Sequence, residues 1–175
     1  MKKHNQCVVK VPRILDEALK RYFKALGFNK VECVGHQFGE EDIRLWIDDK
    51  LVIMEVTGSK NAVPEDDKIF QITKHVPVRQ HQYPNLKVFG SFIMNHDNLN
   101  TYEKRGKPFD ERINNFAKHS KISIITTTDL LNAFIKYKKG QIKPGDIIEG
   151  LCIPGVLKLK GTIAKTSTNK PDSFK

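Results

Sequence analysis

An α/β sandwich, a mixed sheet flanked by helices, is the fold class that three features of this 175-residue chain predict. An amphipathic helical stretch opens it, two apolar strands then meet at a tight Asp48-Asp49 turn, and strands and helices alternate afterwards. "PRILDEALKRYFKALGF" places Ile14, Leu15, Leu19, Tyr22, Phe23 and Leu26 at helical spacing and stops at Gly27. "KVECVG" reads as a short strand, and "DIRLWIDDKLVIMEVTG" as two strands forming an antiparallel hairpin. "EDDKIFQITKHVPVRQ" returns to helical spacing through Ile69, Ile72 and Val76, with Pro77 expected to kink or end the helix. "LKVFGSFIMNH" is a strand, "PFDERINNFAKHS" a helix, "KISIIT" a strand, and "TTDLLNAFIKYKKG" a helix capped by Thr or Asp and closed by Gly140. The antiparallel meander is thus followed by parallel additions, in one domain over residues 1–155. Residues 156–175 read as a basic, loose tail.

Composition narrows the function classes. A hydrophobic fraction of 39% and a charged fraction of 29% are those of a soluble globular chain. No apolar run approaches the roughly 18 residues of a membrane span, and "MKKHNQCVVK" lacks the apolar core of a secretory signal, so no membrane partner and a cytoplasmic location are expected. Cys7, Cys33 and Cys152 are far apart and odd in number, which suggests neither a disulfide framework nor a metal knuckle. The formal charge of +10 favours polyanions, and nine lysines from Lys136 onward face only Asp146, Glu149 and Asp172. Phosphate contact and a solvated tail explain that excess equally well.

Asp42 and Glu55 carry the candidate chemistry. With the turn at Asp48 and Asp49, Ile47 pairs with Lys50 and the register sets Asp42 opposite Glu55, with Cβ atoms about 4.5 to 5.5 Å apart. Two carboxylates so placed raise one another's proton affinity unless a cation lies between them. Hard oxygen ligands of this kind suit Mg²⁺, or Mn²⁺ in its place. Leu51, Ile53, Glu55 and Thr57 share one face of the strand, whereas Val52, Met54 and Val56 point the other way. Glu55 therefore stands where a strand covered on both sides meets a turn. The plainer reading is a charged hairpin whose "GEED" and "DDK" ends are solvated.

The series helix, "GFNKVECVGHQFGEEDIRL", "LVIMEVTG" and a helix carrying "FQITKH" resembles the restriction endonuclease-like, PD-(D/E)XK nuclease superfamily, over roughly residues 13–135. "MNHDNLNTYEKRGKPFDERINNFAKHSKISIITTTDLL" is similar to the tails of some restriction endonuclease-like domains. The resemblance implies an αβββαβ core, with Asp42 as the first acid and Glu55 as the second. It also implies Glu17 in the opening helix as an accessory acid and Gln71 on the helix after the motif. The family's lysine falls at Thr57, which supplies no fixed charge. Lys60, just past Gly58, and Lys74, sharing a helix face with Gln71 and His75, are preferred together as its replacement, with Lys68 a weaker third. The implied activity is Mg²⁺- or Mn²⁺-dependent hydrolysis of phosphodiester bonds, in DNA before RNA. The alternative is a degenerate module that binds nucleic acid without cleaving it.

Other chemistries find no footing. The six histidines form no HExxH motif, there is no GxxxxGK[ST] loop, and no serine sits in a nucleophile elbow. His36 is expected on the surface or lining the cleft near Asp42, and Trp46 packed under the first helix or stacking on a base. The oligomeric state is left open between a monomer and a homodimer.

Overall fold

Strands that are apolar on both faces must be covered on both faces, and the structure does so with three layers. The computed structural model describes residues 14–35, 39–61, 63 and 66–159. Helix α1 (Ile14–Ala25) leads into strands β1 (Val31–Cys33), β2 (Ile43–Ile47) and β3 (Lys50–Gly58), followed by helix α2 (Asp66–Gln82) and strand β4 (Lys87–Asn95). A 3-10 turn at Tyr102–Lys104 precedes α3 (Glu111–His119), β5 (Ile122–Thr126), α4 (Thr127–Lys138), α5 (Pro144–Leu151) and β6 (Gly155–Val156). The strands lie in sequence order in one six-stranded sheet, antiparallel from β1 to β3 and parallel from β3 to β6. This is the mixed, helix-flanked α/β sheet that the sequence predicts. Among the described residues no helix is long and apolar enough to cross a membrane.

The side-chain alternation of β3 divides the core in two. Leu51 and Ile53, with Phe92, Met94, Ile122 and Ile124 of the neighbouring strands, pack against Ile69 and Ile72 of α2 and Ile113 and Ala117 of α3. Val52, Met54 and Val56, with Ile93 and Ile125, face α1, α4 and α5. Each such aliphatic side chain, fully buried, contributes about 1.5–3 kcal/mol. Helix α2 lies close on β4 because Gly90 has no side chain; a Cβ there would stand 2.6 Å from Val76 Cγ2.

The hairpin register is the predicted one, running from Ile47 opposite Lys50 to Ile43 opposite Met54, with Asp48 taking a positive φ of 49° in the turn. Elsewhere the structure departs from expectation. Of the two outcomes expected at Pro77, a kink or an end, the end does not occur: helix α2 runs through Pro77 to Gln82. Pro77 is exposed, so water can take the carbonyl it leaves open, while buried Ile72 and Arg79 fasten the turns on either side. Trp46 packs in the layer of α2 and α3, not under α1, because Arg44 and Trp46 stand opposite Ile53 and Leu51 and share their face. Lys30 Nζ sits 4.9 Å from its ring centroid. Residues 156–159, the start of the segment expected to be loose, continue the sheet with Gly155: β6 pairs with β5, Leu157 N–H donates to the Ile124 carbonyl at 3.1 Å, and Leu157 and Leu159 cover the α1–α4–α5 layer. The rest of the basic tail, residues 160–175, lies outside the described residues.

Candidate functional site

The ladder between β2 and β3 breaks where the sequence predicts the carboxylate pair. Asp42 N–H donates to the Met54 carbonyl at 3.0 Å, although Ile43 already stands opposite Met54. The Asp42 carbonyl instead accepts from Val34 and Gly35 N–H on the other side, at 2.9 and 3.3 Å. Two residues, Asp42 and Ile43, thus oppose one, which is a β-bulge. Glu41, which precedes β2, and Asp42 both reach the α2 side, Glu41 against His75 and Arg79 and Asp42 beside Glu55. The turn is tight, since a Cβ on Gly35 would lie 2.5 Å from Asp42 Oδ1 and 3.0 Å from its Cα.

Asp42 and Glu55 are both buried, and Asp42 Oδ2 accepts the Val56 N–H at 2.8 Å. Glu55 Oε1 lies 3.2 Å from Nε2 of His75, whose Nδ1 is 4.0 Å from Glu41 Oε2. Glu41, fully buried, is gripped by Arg44 Nε at 2.5 Å and by Arg79 Nε at 2.8 Å. Both guanidinium groups also pair with Glu40, and Arg79 Nη1 donates to Gln82 Oε1 at 2.8 Å. A continuous polar chain thus runs from Asp42 through Glu55, His75 and Glu41 to the two arginines.

Proton affinities differ along that chain. Burial pushes the Glu55 carboxyl upward and the adjacent Asp42 adds to it; the His75 hydrogen bond opposes both without prevailing. His75 is raised as well, chiefly by its hydrogen bond to Glu55 and against its own burial. Burial would also raise Glu41, but hydrogen bonds from Arg44, its backbone and Arg79 hold it below the usual carboxylate range. Among the described residues no group of three or more His, Cys, Asp or Glu side chains converges as a metal cage. The hard-oxygen donors that stand together are the Asp42 and Glu55 carboxylates.

The predicted residues separate into two sets. Asp42 and Glu55 meet on one face, and His75, which the sequence placed only as a neighbour of Lys74, joins them. Gln71 is half-buried one turn before His75, while Thr57 is half-buried beyond Glu55. Lys60 and Lys74 are exposed and form no ion pair with a described residue; Lys68 is exposed too. Glu17 lies on α1, whose helix packs against the opposite face of the sheet, beside Cys33 and 3.6 Å from Lys20 Nζ. His36 and Cys7 lie outside the described residues. Cys33 and Cys152 are free thiols, each pushed by burial to about 11, so neither is a ready nucleophile.

Glu41, Arg44 and Arg79 were missed as site residues. Arg79, one helical turn after His75, is the signal that spacing offered; Glu41 lies before β2, where strand alternation does not reach. Compared with known proteins, the chain matches no family model, no curated protein and no solved structure.

Proposed function

We propose that this protein is a divalent-metal-dependent nuclease of restriction endonuclease-like type, hydrolysing phosphodiester bonds in DNA in preference to RNA. The observation that carries the reading is the Asp42–Glu55 pair, two buried carboxylates on one face of a sheet rim, one with its proton affinity raised. The element order from Ile14 to Asn95, helix, three strands, helix, strand, supports it. So does the net charge of +10.

The donor set fits Mg²⁺ or Mn²⁺, which take one or two protein carboxylates and leave other positions to water and phosphate oxygens. Asp42 and Glu55 would hold the ion, which when bound polarises the scissile phosphate and lowers the pKa of the attacking water. The chain's own residues prepare the site. Val56 N–H fixes the Asp42 carboxylate, and His75 orients Glu55. His75, its proton affinity raised by Glu55, would in its protonated form supply the positive charge that Thr57 lacks, with Glu41, clamped by Arg44 and Arg79, 4.0 Å from its Nδ1. Exposed Lys60 and Lys74 are free to meet the substrate backbone.

The non-cleaving binding module is favoured by one observation, that Glu55 already has a partner in His75. Incubating plasmid, single-stranded DNA and RNA with the protein and Mg²⁺ or Mn²⁺ separates the two. The nuclease reading expects cleavage that needs the metal and disappears in Glu55→Gln. Nucleic-acid binding with no cleavage under any metal condition would establish the binding module instead.

A further inference from the structure

A second crevice opens at the carboxyl ends of β4 and β5. The connection leaving β4 runs to α3 on one face of the sheet, and the one leaving β5 enters α4 on the other. Adjacent parallel strands whose connections part in this way leave the gap in which open α/β sheets hold ligands. A cavity of about 340 Å³ lies there, walled by His96, Glu103, Arg105, Thr126, Thr128 and Asp129. Ligand sites commonly span about 300–1,000 Å³, so this one suits a single small molecule.

The wall offers unused donors. Thr126 caps α4 through the Asp129 N–H, and Oδ2 of Asp129 accepts in return from Thr126 N–H and Oγ1 at 3.1 and 2.7 Å. The first-turn N–H groups of Thr128, in the wall, and of Thr127, its chain neighbour, stay outside the helix's own bonding, at its positive end. Arg105 is positioned by carbonyl oxygens, Asn95 Oδ1 at 2.9 Å and the Asn100 backbone at 3.4 Å. It forms no ion pair with a described carboxylate. Independently, His96 is only 4% exposed, and its Nδ1 has no hydrogen-bond partner. A buried, unsatisfied ring nitrogen costs about 1–3 kcal/mol, which a bound polar group would relieve. Burial lowers the His96 pKa, with Arg105 adding to it, so the ring is neutral near pH 7 and offers a hydrogen bond without a charge.

We infer that this crevice binds a phosphate monoester bearing sugar hydroxyls, with the phosphate on Arg105 and the N–H groups of Thr127 and Thr128. Exposed Glu103 accepts from the hydroxyls. The chemistry is common to a free nucleotide and to the phosphorylated end of a nucleic acid. The inference is independent of the Asp42–Glu55 reading, since it uses other residues and needs no metal.

Amide and histidine-ring NMR spectra of the full chain, titrated without metal, test it. The probes are inorganic phosphate, a nucleoside 5′-monophosphate, and one oligonucleotide with a 5′-phosphate or a 5′-hydroxyl. Thr127, Thr128 and His96 should shift with the monophosphate, and Arg105→Gln should weaken binding about tenfold or more. Glu103→Gln should spare inorganic phosphate and weaken the nucleotide. Preference for the phosphorylated oligonucleotide over the free nucleotide would identify a nucleic-acid end as the source, and the reverse preference a nucleotide. Retention of binding in Glu55→Gln keeps this site distinct from the nuclease reading. Absence of shifts at Thr127 and Thr128 up to about 10 mM of every probe, or unaltered affinity in Arg105→Gln, would overturn the proposal.

Discussion

Glu41 and Glu55 are both buried on the α2 side of the sheet, both approach the same His75 ring, and yet they hold protons in opposite ways. Glu41 has two guanidinium partners and is held below the ordinary carboxylate range. Glu55 has burial and Asp42 against it, one imidazole in its favour, and is raised. The difference separates an acid whose charge is satisfied by its neighbours from one whose charge is not. A carboxylate whose charge is already satisfied gains little from a cation, whereas one that cannot ionise comfortably gains most from one.

The largest expected effect breaks the satisfied half. Arg79→Met leaves buried Glu41, and Glu40 beside it, short of a partner, and removing one member of such a cluster costs about 3–5 kcal/mol. Urea denaturation measures it, and a loss under about 1 kcal/mol would mean that Arg44 alone satisfies Glu41. Next in size is Gly35→Ala, which forces a methyl group against Asp42 Oδ1 and backbone. About 1–3 kcal/mol of stability should go, as for an overpacked core. Metal-dependent cleavage should fall further than stability, because Asp42 is what must move. Cleavage at the wild-type rate would dissociate Asp42 from the site.

Stability against pH sharpens the comparison. Glu41, lowered on folding, contributes stability that is present above its unfolded pKa and lost as pH falls through its folded value. Glu55, raised, weakens the fold as pH climbs from its unfolded toward its folded value. His75, also raised, contributes fully below its unfolded value near 6.5 and loses that contribution as pH rises through its folded one. In Glu55→Gln the high-pH loss should shrink, because Glu55 is the main cause of the His75 shift, while the Glu41 limb at low pH should persist. Superimposable wild-type and variant curves would show the His75–Glu55 contact to be energetically silent.

Most of the architecture was legible in the sequence and the best part of the site was not. Alternation in "LVIMEVTG" and the Asp48-Asp49 turn set the hairpin register, because a one-residue slip would turn every apolar side chain to the wrong face. The same logic brought Asp42 and Glu55 together. It could not see that Asp42 sits in a bulge, since the extra residue depends on where Gly35 and Val34 place their N–H groups, a tertiary matter. Glu41 entered only through the plainer reading, in which the "GEED" end is solvated, whereas it is fully buried. Pro77 was open between a kink and an end for a related reason: whether α2 continues past it is decided by exposure and by the packing of Ile72 and Arg79, not by the residue alone.

The smallest expected effect on stability belongs to the exposed lysines. Lys60→Ala and Lys74→Ala should stay within about 0.5 kcal/mol of wild type. If either stands in for the lysine missing at Thr57, cleavage drops about 10²- to 10³-fold; if His75 has taken that role, the drop appears in His75→Gln instead. Comparing the three rates assigns the charge.

Calorimetric titration of Mn²⁺ into wild-type protein and Glu55→Gln, in two buffers of different ionisation enthalpy near pH 6.5, bears most directly on the distinction between the two acids. If Glu55 is the acid that awaits a cation, wild type binds the metal and releases protons as it does so, and Glu55→Gln, still folded, loses the binding. Binding that survives in Glu55→Gln, or no binding by wild type, would contradict it.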